Sequence, residues 1–445
     1  MRSVRKNITM ELTYKFTNKE VTPWGGMVFL KQFLEQINFS EQIQSCKELP
    51  MPGSNRGCDL TTLIETFICS IWCGATRFSH TETTRSDRAL SKIFGWKKNP
   101  GQDAYKRFFL KFSEATNIRI SDYFFKWLIN NYQFDNFTLD IDSSVLTRYG
   151  QQDGAKKGYN PQKKGRNSHH PLIAFINDIR IIANFWLRSG DTSASNNFFA
   201  FLENTLEKLE RKKVSLIRLD SGFCSGKIMD YLEVKPYDYI IAAKFYNPIK
   251  HLIAGIEVWL PVDDGIEICE KTYKSDKWEK ERRLIIVRQK ISVRRQATGK
   301  TLFLFDDQEE YRNYRYSAYF TNIDLAPAEV WRLYRGRGDA ENRIKEIKYD
   351  FGFDAFNMKD FWATEAALIF VTLAYNLMSI FRLFVLQEKT QKTLSTLRFR
   401  VFAIGAYFQK INGNLVLNIA LTKKRRRWFE DLWNYPLKIP LIPNA

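Results

Sequence analysis

Between Leu60 and Trp72 apolar side chains recur at helical spacing, and a shorter amphipathic pattern runs from Asp87 to Phe94. Asn99-Pro100-Gly101 is a turn, after which Gln102 to Phe112 (QDAYKRFFLKF) resumes a helical period with basic residues interleaved. Residues 1–135 are therefore expected to form a mostly helical N-terminal region. Short helices between tight turns suit a helix-turn-helix DNA-binding region, and they suit equally a helical cap on the domain that follows.

From residue 136 the period changes to two. FTLDID alternates as a strand, a long polar loop spans Ser143 to Pro171, and LIAFI and IRIIANFWL flank the turn Asn177-Asp178. Asn196 to Lys212 is a strongly amphipathic helix, KVSLIRLD a strand, GKIMDYLE a short helix and YDYIIAAKF a strand. The order β-β-β-α-β-α-β predicts an α/β fold: a ribonuclease H-like mixed sheet with helices on both faces. Its first part would occupy 136–245. Residues 246–323 (IEVWLPV, ERRLIIVRQKIS, KTLFLF, YRYSAYFT) read as a β-rich insertion, and 324–387 as the helical second part of the core. Within that second part, the apolar run from Ala366 to Phe381 contains Thr372, Asn376 and Ser379 and is followed by Arg382. At ~1.5 Å per residue it is too short for a ~30 Å hydrocarbon layer and reads as a buried helix. Residues 388–445 form a basic C-terminal region with five consecutive cations, Lys423 to Arg427.

Charge sharpens this picture. The chain has 68 Lys+Arg against 49 Asp+Glu, a formal charge of +19, with 15% aromatic residues. Such an excess on a folded chain points to a polyanion: nucleic acid, or alternatively an anionic membrane surface, with the aromatics favouring bases. A hydrophobic content of 44% excludes a disordered chain. Six cysteines are too few for a disulfide scaffold, and Cys69 and Cys73 are expected to be buried thiols rather than zinc ligands. The N-terminus has basic residues but no apolar core segment, so no signal peptide and no membrane are expected; the expected location is cytoplasmic, with the nucleoid.

Three acids stand out. Asp142 closes the first strand (LDIDSS) and Asp220 the fourth (LIRLDSG); in this fold these strands are adjacent and parallel, so their carboxyl ends meet. Two converging carboxylates repel unless a cation lies between them. Asp140 rivals Asp142, since two residues apart on a strand share a face, but Asp142 lies nearer the strand end. The third acid is in YRGRGDAENRIKEIK. At ~100° per residue Tyr334, Arg337, Glu341 and Lys348 fall within about 60° on one helical face, suited to gripping phosphates near a metal. The same residues also suit a solvated face with an ordinary Arg–Glu pair. The loop cations Lys156, Lys157, Lys163, Lys164 and Arg166 are a candidate DNA clamp, or else a solvated loop. The adjacent His169 and His170 point apart and are not expected to bind zinc. A glycosidase reading of the acids has no use for the charge or for Arg337 and Lys348.

The spacing Y-(2)-R-(3)-E-(6)-K resembles the signature of cut-and-paste insertion-sequence transposases of bacteria, the DDE transposase family. Asp-Ser-Ser at 142–144 and Asp-Ser-Gly-Phe at 220–223 resemble its first two motifs, the β-rich segment falls between the second Asp and the Glu, and Gly150 to Phe175 is similar to one branch. The likeness covers about 136–385. It implies that Asp142, Asp220 and Glu341 are catalytic and hold two Mg²⁺ ions (Mn²⁺ substituting) ~3.5–4 Å apart. It also implies that Tyr334, Arg337 and Lys348 hold phosphates and that the partners are double-stranded DNA, as terminal inverted repeats and target. The synaptic complex would be a homodimer. The reaction would be hydrolysis at the element's ends, then joining of the freed 3′-OH to target DNA. Relatives cut the second strand through a hairpin with a flipped base, for which Trp278 and Tyr311 are possible platforms. The alternatives are a ribonuclease H-like nuclease or resolvase without joining, and a DNA-binding relic.

Overall fold

A computed structural model of the protein describes residues 14–52, 57–130, 134–210, 212–291, 314–387 and 391–435. Its centre, among the described residues, is a nine-stranded mixed sheet. The strands are β1 (Phe137–Ser143), β2 (Leu172–Ile176), β3 (Ile181–Trp186), β4 (Val214–Leu219), β5 (Asp238–Ala242), β6 (Leu260–Asp263), β7 (Ile266–Tyr273), β8 (Arg282–Lys290) and β9 (Tyr314–Thr321), in the spatial order β6-β7-β8-β9-β5-β4-β1-β2-β3. β1, β4 and β5 run parallel, while β2 and β3 form an antiparallel meander on β1. This is the ribonuclease H-like order.

The strands between 246 and 323 continue that sheet. β9 pairs antiparallel with β5, Tyr319 opposite Ala242, and β8, β7 and β6 follow outward. The open edge of β5 presents unpaired backbone groups that a further strand satisfies. KTLFLF lies outside the described residues. The expected polar loop at 143–171 is partly structured too, as a small sheet of Leu146–Thr147, Asn167–His169 and Lys156–Lys157.

Helices cover both faces because the strands are apolar on both sides. In β2, Ile173 and Phe175 enter one core and Leu172, Ala174 and Ile176 the other, as strand alternation requires. The second core is closed by α4 (Phe198–Leu209) and α5 (Gly226–Val234). The first is shared by α1 (Leu60–Trp72), α2 (Gln102–Phe109), α3 (Glu114–Asn130) and α8 (Phe361–Phe381). The N-terminal helices thus pack on the sheet domain through a common core; Trp72 Nε1 donates to Ala374 O at 3.1 Å. α3 has no counterpart in the sequence reading, because its aromatic and polar residues mix with a weak period.

α8 is 21 residues long and buried from Ala363 onward except Glu365, longer than the apolar run marked from 366. By length and composition it could cross a membrane; here it is core. It begins at Phe361 because Asp360 caps it, accepting from Ala363 N–H at 2.7 Å, and Glu365 inside its first turns is satisfied by Asn117 Nδ2 at 3.0 Å and the backbone N–H of Leu187 at 3.2 Å. The first and last described segments meet: Val21 pairs with Tyr407 and Thr22 with Ala406, and α9 (Lys423–Trp433) lays Phe429 on Phe29, ring centroids 4.6 Å apart.

Candidate active site

The parallel pairing of β1 and β4 sets Asp140 opposite Arg218 and Ile141 opposite Leu219, so Asp142 and Asp220 emerge side by side at the carboxyl end of the sheet. Asp142 is buried, and its Oδ1 accepts from the N–H of Ser143 at 2.8 Å. Asp220 is half-buried and caps the turn Ser221–Phe223, accepting from Gly222 N–H at 2.8 Å.

The third element is a helix in two pieces, α6 (Pro327–Arg335) and α7 (Arg337–Tyr349), interrupted at Gly336. Its second piece brings Arg337 onto the aspartates. Arg337 Nη2 lies 2.9 Å from Asp142 Oδ2, and Nη1 donates to Glu341 Oε1 at 3.1 Å. The Nη2 contact is close but off the hydrogen-bonding direction, and the buried Nε has no hydrogen-bond partner, so the guanidinium is held chiefly by charge. Burial pushes the Asp142 carboxyl up to about 7; Arg337 opposes this, and Asp220 and Glu341 add to it by repulsion. Burial works against the charge of Arg337, but Asp142 together with Tyr334, Asp220 and Asp140 more than compensates and holds it more firmly protonated. The Glu341 side chain is more than half exposed, facing solvent.

Tyr334 and Lys348 sit to either side. The Tyr334 hydroxyl donates to Leu219 O at 3.2 Å, immediately before Asp220, and its ring packs on Tyr319 at 4.4 Å. Lys348 Nζ donates to Val145 O at 2.8 Å, just past Asp142, and burial pushes its ammonium pKa down. Both residues therefore brace the backbone next to an aspartate. Tyr334 belongs to the helix piece before the break, so the four residues do not share one uninterrupted helix.

Asp140 is fully buried and bidentate with Arg218, Nε to Oδ1 at 2.6 Å and Nη2 to Oδ2 at 2.7 Å. Arg218 Nη1 also donates to Leu333 O at 2.5 Å, and a Cβ on Gly336 would meet that same nitrogen at 2.6 Å. Arg218 thus joins β1 and β4 to the end of α6 and fixes where α7 starts. Sequence reading missed it. The available signal was a cation inside an otherwise apolar strand, LIRLD, which has to find a buried acid.

Of the loop cations, Lys156 pairs with Asp191 at 3.1 Å, Arg166 lies over the Tyr149 ring at 5.8 Å, and Lys157, Lys163, Lys164 and Arg166 are exposed. His169 and His170 are buried anchors of that segment. His169 Nδ1 accepts from Arg148 Nε at 3.0 Å and Nε2 donates to Asp153 O at 2.9 Å, and burial lowers its pKa to about 4. Cys69 and Cys73 are buried free thiols. Trp278 is packed on Phe320 at 5.0 Å and Tyr273 at 5.6 Å; Tyr311 lies outside the described residues. Among the described residues no three His, Cys, Asp or Glu side chains stand close enough to hold one metal ion, and the cation between Asp142 and Glu341 is Arg337 itself.

A sheet of this order, with acids gathered at the carboxyl end of its central parallel strands, makes this a mixed α/β protein of the ribonuclease H-like class. The sequence matches the family Transposase DDE domain group 1 over residues 4–435, and the chain belongs to that family. No curated protein matches it. Among solved structures it is similar to piggyBac transposase in a synaptic complex with hairpin DNA, at 14% identity over 86% of this chain and 81% of that chain, with a TM-score of 0.47.

Proposed function

We propose that this transposase cuts the ends of its own element by metal-dependent phosphodiester hydrolysis and joins the freed 3′-OH ends to target DNA, with Asp142, Asp220 and Glu341 as the catalytic acids. The observation that carries the reading is the sharing of Arg337 between Asp142 and Glu341 at the end of β1, beside Asp220. Carboxylates from two separate elements meet there on one positive group, and a third, Asp220, acts on it by charge. Such a set of hard oxygen donors, with the Asp142 carboxyl pushed up chiefly by burial and further by its acidic neighbours, suits divalent cations. Asp142, Asp220 and Glu341 would hold Mg²⁺, or Mn²⁺ in its place, and when bound the two ions would activate the attacking hydroxyl and stabilise the leaving oxygen.

The chain's own residues do the rest. Arg337, buried yet not fully hydrogen-bonded, has donor capacity left for a phosphate oxygen. Tyr334 and Lys348 keep the two strand ends in register by holding Leu219 O and Val145 O. The exposed Lys157, Lys163, Lys164 and Arg166, with Lys156, lie on the segment that follows Asp142 and would track the backbone of double-stranded DNA. Two ends brought together imply a homodimeric complex on the element's terminal repeats and target.

The test is excision of a marker flanked by the gene's native DNA. Wild-type protein should excise it in the presence of Mg²⁺ and Glu341→Gln should not, while both bind the flanking duplex. Equal excision by the two proteins overturns the assignment of the triad.

A further inference from the structure

The proposed chemistry leaves one charged face unused. α9 opens with Lys423, Lys424, Arg425, Arg426 and Arg427, has no acidic residue in its first turn, and carries its acids, Glu430 and Asp431, toward the other end. This is the reverse of what the helix dipole favours. The fold does not compensate for it: among the described residues no carboxylate pairs with Lys423, Lys424 or Arg426, and Arg427 approaches Asp431 only at 4.0 Å. Lys423, Lys424, Arg426 and Arg427 are all exposed.

The neighbourhood is shaped as well as charged. Arg425 donates to Arg400 O and lies over the Trp428 ring at 4.8 Å, so its guanidinium plane is held in place. Beside it is a cleft of about 370 Å³ lined by Phe399, Arg400, Arg425 and Trp428. Phe399 at its rim is 79% exposed. The segment bearing Phe399 and Arg400 is tied to the Glu341 helix: Arg398 Nη2 donates to Asp350 O at 2.6 Å, and Leu394 N–H to Glu346 Oε1 at 2.8 Å. The cationic face therefore belongs to the same packed unit as the far end of α7.

We propose that this face, Lys423, Lys424, Arg426 and Arg427 with Arg400, docks the phosphate backbone of duplex DNA alongside the segment being cut. The proposal rests on the DNA reading of the active site. Charge complementarity selects the partner: an exposed row of cations, in which only Arg427 approaches a carboxylate and then at 4.0 Å, matches a line of phosphates, and each phosphate contact releases a counterion.

The experiment measures binding of a duplex from the gene's flanks by fluorescence anisotropy between about 50 and 200 mM salt, without divalent metal, for wild type and K423Q/K424Q/R426Q. The expected result is a salt slope smaller by about 2–3, near 0.9 per lost contact, and roughly tenfold or more weaker binding, with the melting temperature unchanged. K423R/K424R/R426K should keep the wild-type slope. Should the triple variant melt early, Lys424→Gln alone should still reduce the slope by about 0.9. Unchanged slope and affinity in a folded variant, with wild type binding well, overturn the docking face and leave the active-site reading standing. Loss of binding to phosphatidylserine vesicles with duplex binding unchanged overturns it in favour of a membrane. A wild-type protein that binds no duplex at all overturns the DNA reading itself, and this proposal with it.

Discussion

Two aspartate–arginine pairs stand two residues apart on one strand and have opposite fates. Asp140 meets Arg218 in a closed bidentate pair, both side chains almost fully buried, with a further arginine nitrogen on Leu333 O. Asp142 meets Arg337 off-axis, shares it with Glu341, and has Asp220 close enough to raise its pKa. The first pair is complete and has no capacity for a ligand. The second has one cation for three acids and a guanidinium not fully hydrogen-bonded, so it stores unsatisfied charge at the mouth of the sheet. Identical chemistry becomes scaffold or site according to whether the surrounding backbone completes its hydrogen bonds.

Breaking the open pair should have the largest effect, on activity. Asp142→Asn, Asp220→Asn or Glu341→Gln should each lower excision by on the order of 10⁴-fold, about 5 kcal/mol, while thermal melts stay level or rise as repulsion is relieved. A steep fall in melting temperature instead would make Asp142 structural, like its neighbour. Breaking the closed pair should do the reverse. Asp140→Asn strands a buried guanidinium and should cost roughly 3–4 kcal/mol in urea unfolding; if stability holds and only excision is lost, the division between the pairs is wrong.

A third buried arginine sharpens the comparison, since Arg148 rests on a neutral histidine rather than an acid. The folded pKa of His169 is about 4, below its usual ~6.5. Its stabilising contribution is therefore full above pH ~6.5 and falls as pH drops towards 4, where the unfolded chain takes the proton first. Stability should decline by about 2–3 kcal/mol across that window, and His169→Gln should flatten the decline in pH-dependent denaturation. The smallest effect concerns the contact between scaffold and site. Gly336→Ala places a methyl 2.6 Å from Arg218 Nη1 and should cost about 1–2 kcal/mol, with excision lowered more than DNA binding. Equal stability and activity would show that Arg218 does not set the start of α7.

Much of this was legible in the chain. The change from a period near 3.6 to a period of two gave the helical region, the five core strands and their order. Spacing put Arg337 and Glu341 on one helical face, and the order of strands brought Asp142 to Asp220. α3 and the small sheet at 143–171 were not legible, because neither carries a clean period. Nor was the joining of β9 to β5, for an alternating strand declares its faces but not its neighbour.

What the sequence determined by itself was local: which segments are helix or strand, which side of each is apolar, and which few charged residues lie at element ends. Tertiary structure alone decided which aspartate is spent on the fold. Strand register sets Arg218 beside Asp140 across 78 residues of chain, and the helix break at Gly336 then delivers Arg337 to Asp142. The physical reason is that periodicity reports only the solvent and core faces of each element. The completion of a buried ion pair depends on backbone groups that meet only once the elements are packed.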